Sequence, residues 1–265
     1  MSASGRPRLA AVFAHPDDDA YTIGGLLARY AGRIDATIVL CTSGGSGPIW
    51  EPVATRETLG QVREGEQAAW REALGLHDAR VEFLRYPDGG LSDVPWDELV
   101  GRVEAILREA APHVVVTFGP DGMTHHPDHI RAGEAAGDAF ERIRSSPGEA
   151  PGSFARLFHV ALRSSTMAGF YLAIKERHLP FGDEQTLFNP TGVPDERIAV
   201  DVDVSDVYER KLAAIRVHRS QIGELDRIPR DLQPLWLAHE CFVQAWPAWD
   251  PETPPMAEPF EGLVI

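Results

Sequence analysis

The sequence predicts one α/β domain with a mostly parallel, doubly wound sheet flanked by helices and a less regular C-terminal part. Two observations predict this fold class. Short apolar runs alternate with segments of helical spacing between residues 9 and 118, which is the βα order of a parallel sheet. No linker rich in proline or glycine is long enough to require a second domain. We therefore expect residues 1–265 to form a single domain.

Four strands and three helices are predicted in the first half of the chain. The run LAAVFA is continuously apolar, as in a strand buried on both faces, and HVVVTF is the most β-branched run in the sequence. Gly75 ends a segment rich in helix formers, as a helix C-cap does. The predicted strands cover residues 9–14, 36–41, 81–84 and 113–118, and the predicted helices cover residues 20–30, 57–74 and 96–110.

The pattern is weaker in the second half of the chain. Residues 144–154 contain Ser, Pro, Gly and Glu and predict a loop before a strand at 157–162. Residues 197–204 alternate apolar residues with Asp, which suits an edge strand, and residues 207–217 suit a helix. The tail from Trp246 is rich in proline, so this part is expected to be less regular.

The acidity of the chain argues against several classes of partner. A net charge of -15 and a pI near 5.0 do not suit nucleic acid, because phosphate backbones are bound by Lys and Arg, and do not suit an anionic membrane surface. The sequence shows neither a signal peptide nor an apolar stretch of membrane-helix length, so we expect a cytoplasmic protein. Cys41 and Cys241 are expected to be buried thiols rather than a disulfide.

Two loops with metal-binding residue types follow predicted strands. AHPDDD occupies residues 14–19, at the end of the first strand, and HHPDH occupies residues 125–129, shortly after the fourth. Ligands of open α/β sheets lie beyond the carboxyl ends of the strands, so these two loops are expected to meet. Either loop alone is weak evidence, because a His-Pro-Asp tripeptide also occurs in ordinary turns. Two such loops in these positions favour a metal site.

His15, Asp18 and His129 are the predicted metal ligands. Catalytic zinc takes three protein ligands from histidine and carboxylate and keeps a fourth position for water. We therefore expect one Zn²⁺ per chain, with Fe²⁺ as the alternative at a site of this composition.

Three further residues are predicted to act beside the metal. Asp17 adjoins a ligand, and its side chain is free to accept a proton from water. His126 would stand on the substrate side, where it would stabilise an oxyanion or give a proton to a leaving amine. Asp128 would orient His126. Together these groups predict metal-assisted hydrolysis of an amide.

The paired motifs AHPDDD and HPDH on a Rossmann-like sheet resemble the LmbE/PIG-L family of zinc deacetylases. That family includes N-acetylglucosaminyl-phosphatidylinositol deacetylase and the deacetylases and amidases of the mycothiol and bacillithiol pathways. A helix with the pattern R-x-x-E ending in LG and a later H-x-SQ segment agree with the resemblance, which covers roughly residues 9–221. The residues concerned are Arg63, Glu66, Ala69, Leu74 and Gly75 in the helix and His218, Ser220 and Gln221 in the later segment.

The resemblance implies the same three zinc ligands, with Asp17 as general base and His126 as oxyanion or acid residue. Arg63 in the family-like helix and Asp88 in YPDGGL are candidate substrate contacts. Two positions depart from the family pattern. Asp19 stands where Glu is usual, and Thr124 stands where some sugar deacetylases have tyrosine, so the detailed substrate chemistry of the mycothiol enzymes does not transfer.

The expected reaction is the hydrolysis of an N-acyl amide, most often N-acetyl, on a sugar or a sugar-containing small molecule. An amidase acting on a thiol conjugate such as a mycothiol S-conjugate would use the same zinc chemistry. A metal-binding module without turnover is the alternative outside enzymes, and the presence of Asp17 and of an open metal position argues against it. The expected partner is an N-acylated small molecule, and the sequence leaves a homo-oligomer open.

Other conspicuous residues are expected to have mainly structural roles. The TSGGSG loop at residues 42–47 lacks the spacing and the lysine of nucleotide-binding loops, so it predicts a flexible loop beside the active site. His218 is expected to be a buried, hydrogen-bonded histidine. Trp236, Trp246 and Trp249 are expected to seal the core, with stacking in a sugar pocket as the alternative.

Overall fold

The computed structural model describes residues 5–50, 52–146, 148, 152–179 and 192–265. Its strands are β1 (Arg8–Phe13), β2 (Asp35–Thr42), β3 (Arg80–Tyr86), β4 (Val114–Phe118), β5 (Arg156–Ala161), β6 (Val200–Asp203) and β7 (His239–Trp246). Within the described residues they form one sheet in the order β3-β2-β1-β4-β5-β7-β6. The first five strands are parallel, whereas β7 runs antiparallel to both β5 and β6. This arrangement confirms the predicted mostly parallel sheet.

Helices follow the strands in the predicted βα order. Those described are α1 (Asp18–Thr22), α2 (Gly24–Tyr30), α3 (Leu59–Ala73), α4 (Trp96–Ala110), α5 (Pro127–Arg144), α6 (Ser164–Glu176), α7 (Tyr208–Ile215), α8 (Gly223–Arg227) and α9 (Gln233–Leu237). The helix predicted at residues 20–30 is divided at Ile23 into α1 and α2, because Ile23 leaves the helical conformation.

The sequence analysis did not delimit α5, α6 or β7. Helix α5 begins inside the HHPDH motif, which was assigned to a loop, although a proline and an aspartate in the first turn are helix-start signals. Strand β7 mixes polar and apolar residues without strict alternation, and its place depends on pairing with β5 and β6. The chain therefore continues its helix and strand pattern further than its composition indicates.

The less regular elements of the second half are close to their predicted places. Strand β6 is shorter than the predicted 197–204, and α7 lies within the predicted 207–217. Part of the loop predicted at 144–154 falls on residues 147 and 149–151, which lie outside the described residues.

Strands β1 and β4 lie side by side, and the chain leaves them in opposite directions. Strand β1 is followed by β2 on one side, whereas β4 is followed by β5 on the other. Both strands are buried almost throughout. Their carboxyl ends therefore flank the point where strand order reverses, which is where open α/β sheets bind ligands. The AHPDDD and HPDH segments both emerge there.

A buried ion pair joins the C-terminal part to the first half of the chain. Lys211 Nζ lies 2.8 Å from Glu240 Oε1, and both side chains are 1% exposed. The Glu240 carboxylate also accepts hydrogen bonds from the backbone N–H groups of Gly25 (2.6 Å) and Leu26 (2.7 Å) in the first turn of α2. Strand β7 thus supplies the acceptor for two N–H groups that helix α2 cannot satisfy by itself.

Replacing Gly133 with alanine is expected to destabilise the protein by about 2 kcal/mol, because helix α5 packs on the backbone of β4 at that point. A Cβ at Gly133 would lie 2.5 Å from the carbonyl oxygen of Phe118, which cannot move without disturbing the sheet. Gly137 on the same helix has no atom within 4 Å of an added Cβ, so Gly137→Ala is the matched control. It should stabilise the protein by about 0.5 kcal/mol through helix propensity. Urea denaturation of both variants measures the change in the free energy of unfolding. Equal changes in the two variants would contradict the close packing of Gly133 on β4.

The states of the two cysteines and the lengths of the helices agree with the predictions made from the sequence. Cys41 and Cys241 are buried and free, as predicted, and burial raises the pKa of each thiol to about 12. Among the residues described, none of the helices combines the length and the apolar character that crossing a membrane requires.

Candidate active site

The turn between β1 and α1 fixes two neighbouring carboxylates. Asp18 Oδ2 accepts hydrogen bonds from the backbone N–H groups of Ala14 (3.1 Å) and His15 (2.8 Å). Asp17 has a φ of 100°, a left-handed conformation that costs a non-glycine residue about 1 kcal/mol or more. The backbone therefore presents both carboxylates in defined directions at the end of β1.

His15, Asp18 and His129 converge on one point. His15 Nδ1 lies 3.2 Å from His129 Nε2 and 3.7 Å from Asp18 Oδ2, and His129 Nε2 lies 3.4 Å from Asp18 Oδ1. Ligand atoms bound at about 2.0–2.2 Å to one tetrahedral zinc are about 3.3–3.6 Å apart. Each of the three side chains is 10% exposed. The three distances are close to that spacing, with a different Asp18 oxygen facing each histidine, so these residues are candidates to hold one metal ion.

The opposite ring nitrogens of the two histidines face acceptors. His129 Nδ1 lies 3.0 Å from the carbonyl oxygen of Gly122. His15 Nε2 lies 2.9 Å from Asp88 Oδ1 and 3.4 Å from Asp128 Oδ2. Acceptors in these positions keep each ring proton away from the nitrogen that faces the cluster, as carboxylate–histidine–zinc arrangements do. Both rings are therefore set up to donate a lone pair to the same point.

The two histidines differ in basicity. Burial disfavours the charged form of His15, but the carboxylates of Asp128 and Asp88 outweigh it and raise the pKa of His15 to about 10. Burial lowers the pKa of His129 to about 4. A metal ion bound by both rings displaces a proton from His15, so metal affinity falls as the pH falls.

His126 adds a third ring to this cluster. One ring nitrogen from each of His15, His126 and His129 lies within 4.8 Å of the others. His126 Nδ1 accepts a hydrogen bond from the backbone N–H of Asp128 (3.2 Å), so the neutral ring carries its proton on Nε2. Burial and the charge of His15 lower the pKa of His126, which keeps this ring neutral at pH 7. His126 is therefore a hydrogen-bond donor beside the three candidate ligands.

Asp128 contacts a different histidine from the one expected. Its carboxylate accepts hydrogen bonds from the N–H groups of Gly89 (2.7 Å) and Leu91 (3.1 Å) and lies 3.4 Å from His15 Nε2. It is the backbone N–H of Asp128 that donates to His126. The sequence suggested that the Asp128 side chain orients His126. In the fold, that carboxylate is fully buried and faces the His15 ring instead.

Arg63, expected to contact substrate, holds the candidate base. Its Nη2 lies 3.1 Å from Asp17 Oδ1 and donates to the carbonyl oxygen of Pro16, while Nη1 donates to the carbonyl oxygen of Gly44 (3.0 Å). The side chain is 4% exposed, so these internal contacts occupy most of the guanidinium. A Cβ on Gly44, whose φ is +67°, would overlap it. Because Gly44 in the TSGGSG loop has no side chain, it leaves room for the Arg63 guanidinium.

Asp88, the second expected substrate contact, also binds the protein's own groups. Its Oδ2 accepts a hydrogen bond from the backbone N–H of Ser46 (2.6 Å), and its Oδ1 faces His15. The charge of His15 outweighs burial and holds the pKa of Asp88 below its ordinary value. Asp88 thus links the TSGGSG loop to the metal-site histidine.

The two departures from the family pattern leave the cluster intact. Thr124 Oγ1 lies 3.2 Å from His129 Nδ1, on the side of the ring away from the cluster. Asp19 is fully buried and accepts a hydrogen bond from Gln67 Nε2 (2.6 Å), and burial raises its pKa to about 7. The shorter acid at position 19 is therefore held through Oδ2, whereas its Oδ1 has no hydrogen-bond partner among the described residues.

The two family-like segments outside the metal loops contact each other. Glu66 of the R-x-x-E helix accepts hydrogen bonds from the backbone N–H (2.8 Å) and the hydroxyl (2.6 Å) of Ser220 in the H-x-SQ segment. His218 is 1% exposed, and burial lowers its pKa to about 3, so its ring is neutral. The buried position agrees with the expected structural role, although neither ring nitrogen has a hydrogen-bond partner among the described residues.

These groups border a pocket of about 240 Å³. Its lining combines the metal-site residues with three aromatic side chains, Tyr21, Trp50 and Trp236. Trp236 packs partly against the core and lines the pocket as well, so its position is compatible with both roles considered for it. The sequence analysis did not select Tyr21 or Trp50, because a single aromatic residue in a helix or loop carries no positional signal. The remaining lining residues are His15, Asp17, Asp18, Ser46, Gly47, Pro48, Arg63, Asp88, Gly89, Met123, Thr124, His126, His129 and Gln221.

Known proteins share both the motifs and the fold of this chain. The family PIG-L, described as GlcNAc-PI de-N-acetylase, matches residues 10–140. The 1D-myo-inositol 2-acetamido-2-deoxy-alpha-D-glucopyranoside deacetylase of Saccharomonospora viridis is 37% identical to the chain, with 80% of this chain and 84% of the relative covered. The chain belongs to the PIG-L family.

Further relatives agree with membership of the PIG-L family. The deacetylase of the same name from Thermobispora bispora is 33% identical, with 81% of this chain and 79% of the relative covered. The crystal structure of the conserved protein TT1542 from Thermus thermophilus superimposes with a TM-score of 0.61 at 26% identity, covering 94% of this chain and 99% of that one. The predicted family, its fold class and the prediction of an amide-hydrolysing enzyme are confirmed.

Proposed function

We propose that this PIG-L protein is a zinc-dependent N-deacetylase that releases acetate from a 2-acetamido-2-deoxy-glucose glycoside. The observation that carries the proposal is the convergence of His15, Asp18 and His129, at close to tetrahedral spacing, on the pocket that Asp17 also lines. The relatives named above act, by their names, on an acetamido sugar linked to inositol. We propose a neutral small-molecule substrate of that class for this chain. We also propose that the chain forms a single domain and is located in the cytoplasm.

The donor set suits one zinc ion per chain. Two imidazoles and a carboxylate are the ligand types of catalytic zinc, and Fe²⁺ remains the alternative for this donor set. A zinc ion bound there lowers the pKa of a coordinated water from 15.7 to about 7 and polarises the amide carbonyl. Asp88 and Asp128 serve as positioning residues, since both face the far side of the His15 ring.

Asp17 moves the proton in the proposed reaction. It accepts a proton as the water oxygen bonds to the amide carbon, and it returns a proton to the nitrogen as the carbon–nitrogen bond breaks. Acetic acid and the amine leave, and transfer of the acid's proton to the amine gives acetate and ammonium, so atoms and charge balance. Arg63 fixes the direction of the Asp17 carboxylate through the 3.1 Å contact. A base held in one orientation needs no reorganisation during the reaction.

His126 stabilises the oxygen of the amide carbonyl as negative charge develops there. The ring is neutral, with the proton on Nε2, because Nδ1 accepts from the Asp128 backbone and burial lowers its pKa. A neutral N–H donor favours the oxyanion role over that of a general acid, the two roles that the sequence left open.

Metal content and amine release test the proposal together. Protein purified without chelator is analysed for bound metal and incubated with N-acetylglucosaminyl-inositol, N-acetylglucosamine and a thiol conjugate of the mycothiol type. We expect about one zinc per chain, and equal amounts of amine and acetate from the acetylated sugars. Release from the thiol conjugate alone would replace the proposal with the amidase function. Metal-loaded protein that releases amine from none of them would overturn it.

Two histidine variants in the HHPDH motif test whether His129 binds the metal or only maintains the local structure. His129→Asn is expected to abolish metal binding, because it removes one of three ligands. His125→Asn is the matched control, since His125 is exposed in the same HHPDH motif and its φ of 61° is one that asparagine tolerates. This control should keep the metal. Equal metal content in the two variants would exclude His129 as a ligand.

A further inference from the structure

Three aromatic side chains from separate elements line the pocket beside the metal cluster. Tyr21 comes from α1, Trp50 from the segment after β2, and Trp236 from α9. The Tyr21 and Trp236 rings are stacked, with centroids 5.3 Å apart and planes at 12°. Stacking joins these two rings into one rigid apolar surface.

Helix α8 holds the ring of Trp50 in place. A Cβ on Gly223 would overlap the indole, so the backbone of this glycine lies directly against the ring. The Arg227 guanidinium lies 4.5 Å from the ring centroid. Gly223 and Arg227 are four residues apart and therefore on one side of the helix, and both contact the Trp50 ring. The backbone N–H of Trp50 also donates to the carbonyl oxygen of Ser220 (3.2 Å). The ring is 37% exposed and turns its remaining surface to the pocket that it lines.

The charges of the pocket disfavour an anionic ligand. Asp17, Asp18 and Asp88 contribute carboxylates to the lining, and among the lining residues described Arg63 is the one lysine or arginine. Its guanidinium is already engaged by Asp17 and by two carbonyl oxygens. Away from the metal cluster, a phosphate on the attached ring would lose its hydration without gaining a free lysine or arginine from the described lining residues. A neutral ring with apolar C–H faces fits such a lining.

We propose that Trp50 and Trp236 form a subsite for a neutral second ring attached to the acetamido sugar. This inference rests on the proposed deacetylase function and adds the residues that select the rest of the substrate. With the acetamido group at the metal cluster, the attached ring lies against the two indoles. The enzyme therefore selects neutral two-ring glycosides over single sugars and over phosphorylated substrates.

The test compares kcat/KM on substrates that share the reacting amide. They are N-acetylglucosaminyl-inositol, methyl N-acetylglucosaminide, and the inositol glycoside carrying a phosphate on its inositol. We expect the wild-type enzyme to prefer the neutral two-ring substrate to each of the other two by about tenfold or more. Trp50→Ala and Trp236→Ala should each lose about tenfold on that substrate and less than about twofold on the methyl glycoside.

Two further variants keep the test specific. Trp246→Ala is the matched control, because Trp246 is also 37% exposed with an arginine over its ring, but does not line the pocket. It should leave the substrate preference unchanged. Gly223→Ala retains both tryptophans and displaces the Trp50 ring, so it should reduce the preference as Trp50→Ala does.

The outcomes distinguish this inference from the proposed function. Equal losses on the two-ring and one-ring substrates in the tryptophan variants, or a wild-type preference for the phosphorylated glycoside, would overturn the second-ring subsite and leave the deacetylase intact. No amine release from any acetylated sugar by the wild-type enzyme would overturn both.

Discussion

Replacing Asp17 with asparagine is expected to lower kcat for amine release by about 10²- to 10⁴-fold while the protein folds and binds metal as before. Asparagine has the shape of aspartate and tolerates the φ of 100° at this position. Its amide oxygen can still face Arg63, but it cannot accept the proton of water. Steady-state kinetics, metal content and the midpoint of thermal unfolding are the three measurements.

Asp78→Asn is the control for the loss of one carboxylate. Asp78 is 80% exposed and precedes β3, at the end of the sheet away from the pocket. Its variant should match the wild type in all three measurements. If Asp17→Asn loses its metal along with activity, Asp17 acts as a ligand and another group is the base. If it keeps activity within about threefold, the proton acceptor is elsewhere.

Replacing Glu240 with glutamine is expected to lower the free energy of unfolding by about 3–5 kcal/mol. The variant keeps the shape of the side chain but leaves the Lys211 ammonium, which is 1% exposed, without its negatively charged partner, although Nζ keeps its hydrogen bond to the carbonyl oxygen of Leu237 (3.1 Å). It also replaces a charged acceptor of the Gly25 and Leu26 N–H groups with a neutral one. Denaturation in guanidinium chloride, monitored by far-ultraviolet circular dichroism, measures the loss.

Two further variants test whether the buried charge of Lys211 causes the loss of stability in Glu240→Gln. Asp226→Asn breaks a surface pair with Arg216 whose atoms are separated by 2.7 Å, and it should cost less than about 1 kcal/mol. Combining Lys211→Met with Glu240→Gln removes both charges and should recover much of the stability. A double variant as unstable as Glu240→Gln alone would mean that the N–H groups of α2, and not the lysine, depend on the charge.

The sequence predicted the metal cluster because its residues lie in short motifs at strand ends. AHPDDD carries His15 and Asp18 directly after β1, HPDH carries His129 in the segment after β4, and adjacent parallel strands bring their ends together. The same logic predicted the order of the first helices and strands. Local pattern and the geometry of a parallel sheet were sufficient for these features.

The partners of the surrounding residues could not be predicted in this way. Asp128 follows His126 by two residues, yet its carboxylate contacts His15, which is distant in sequence. Arg63 on α3 faces Asp17, which follows β1, and one sequence cannot show which way a helix face turns. The aromatic subsite was not predicted for the same reason, since Trp50 and Trp236 come from regions without a motif. Such contacts depend on packing between distant segments.

The position of Glu240 has a consequence for the synthesis of the protein. This carboxylate lies 215 and 214 residues beyond the two amides that it caps at the start of α2. That helix directly follows α1 and the AHPDDD loop, so these active-site elements are translated long before strand β7, which supplies the supporting carboxylate. A nascent chain stalled before β7 would expose Lys211 and the first turn of α2 to the chaperones and proteases around the ribosome. The enzyme is therefore expected to gain its hydrolytic activity only after strand β7 has left the ribosome.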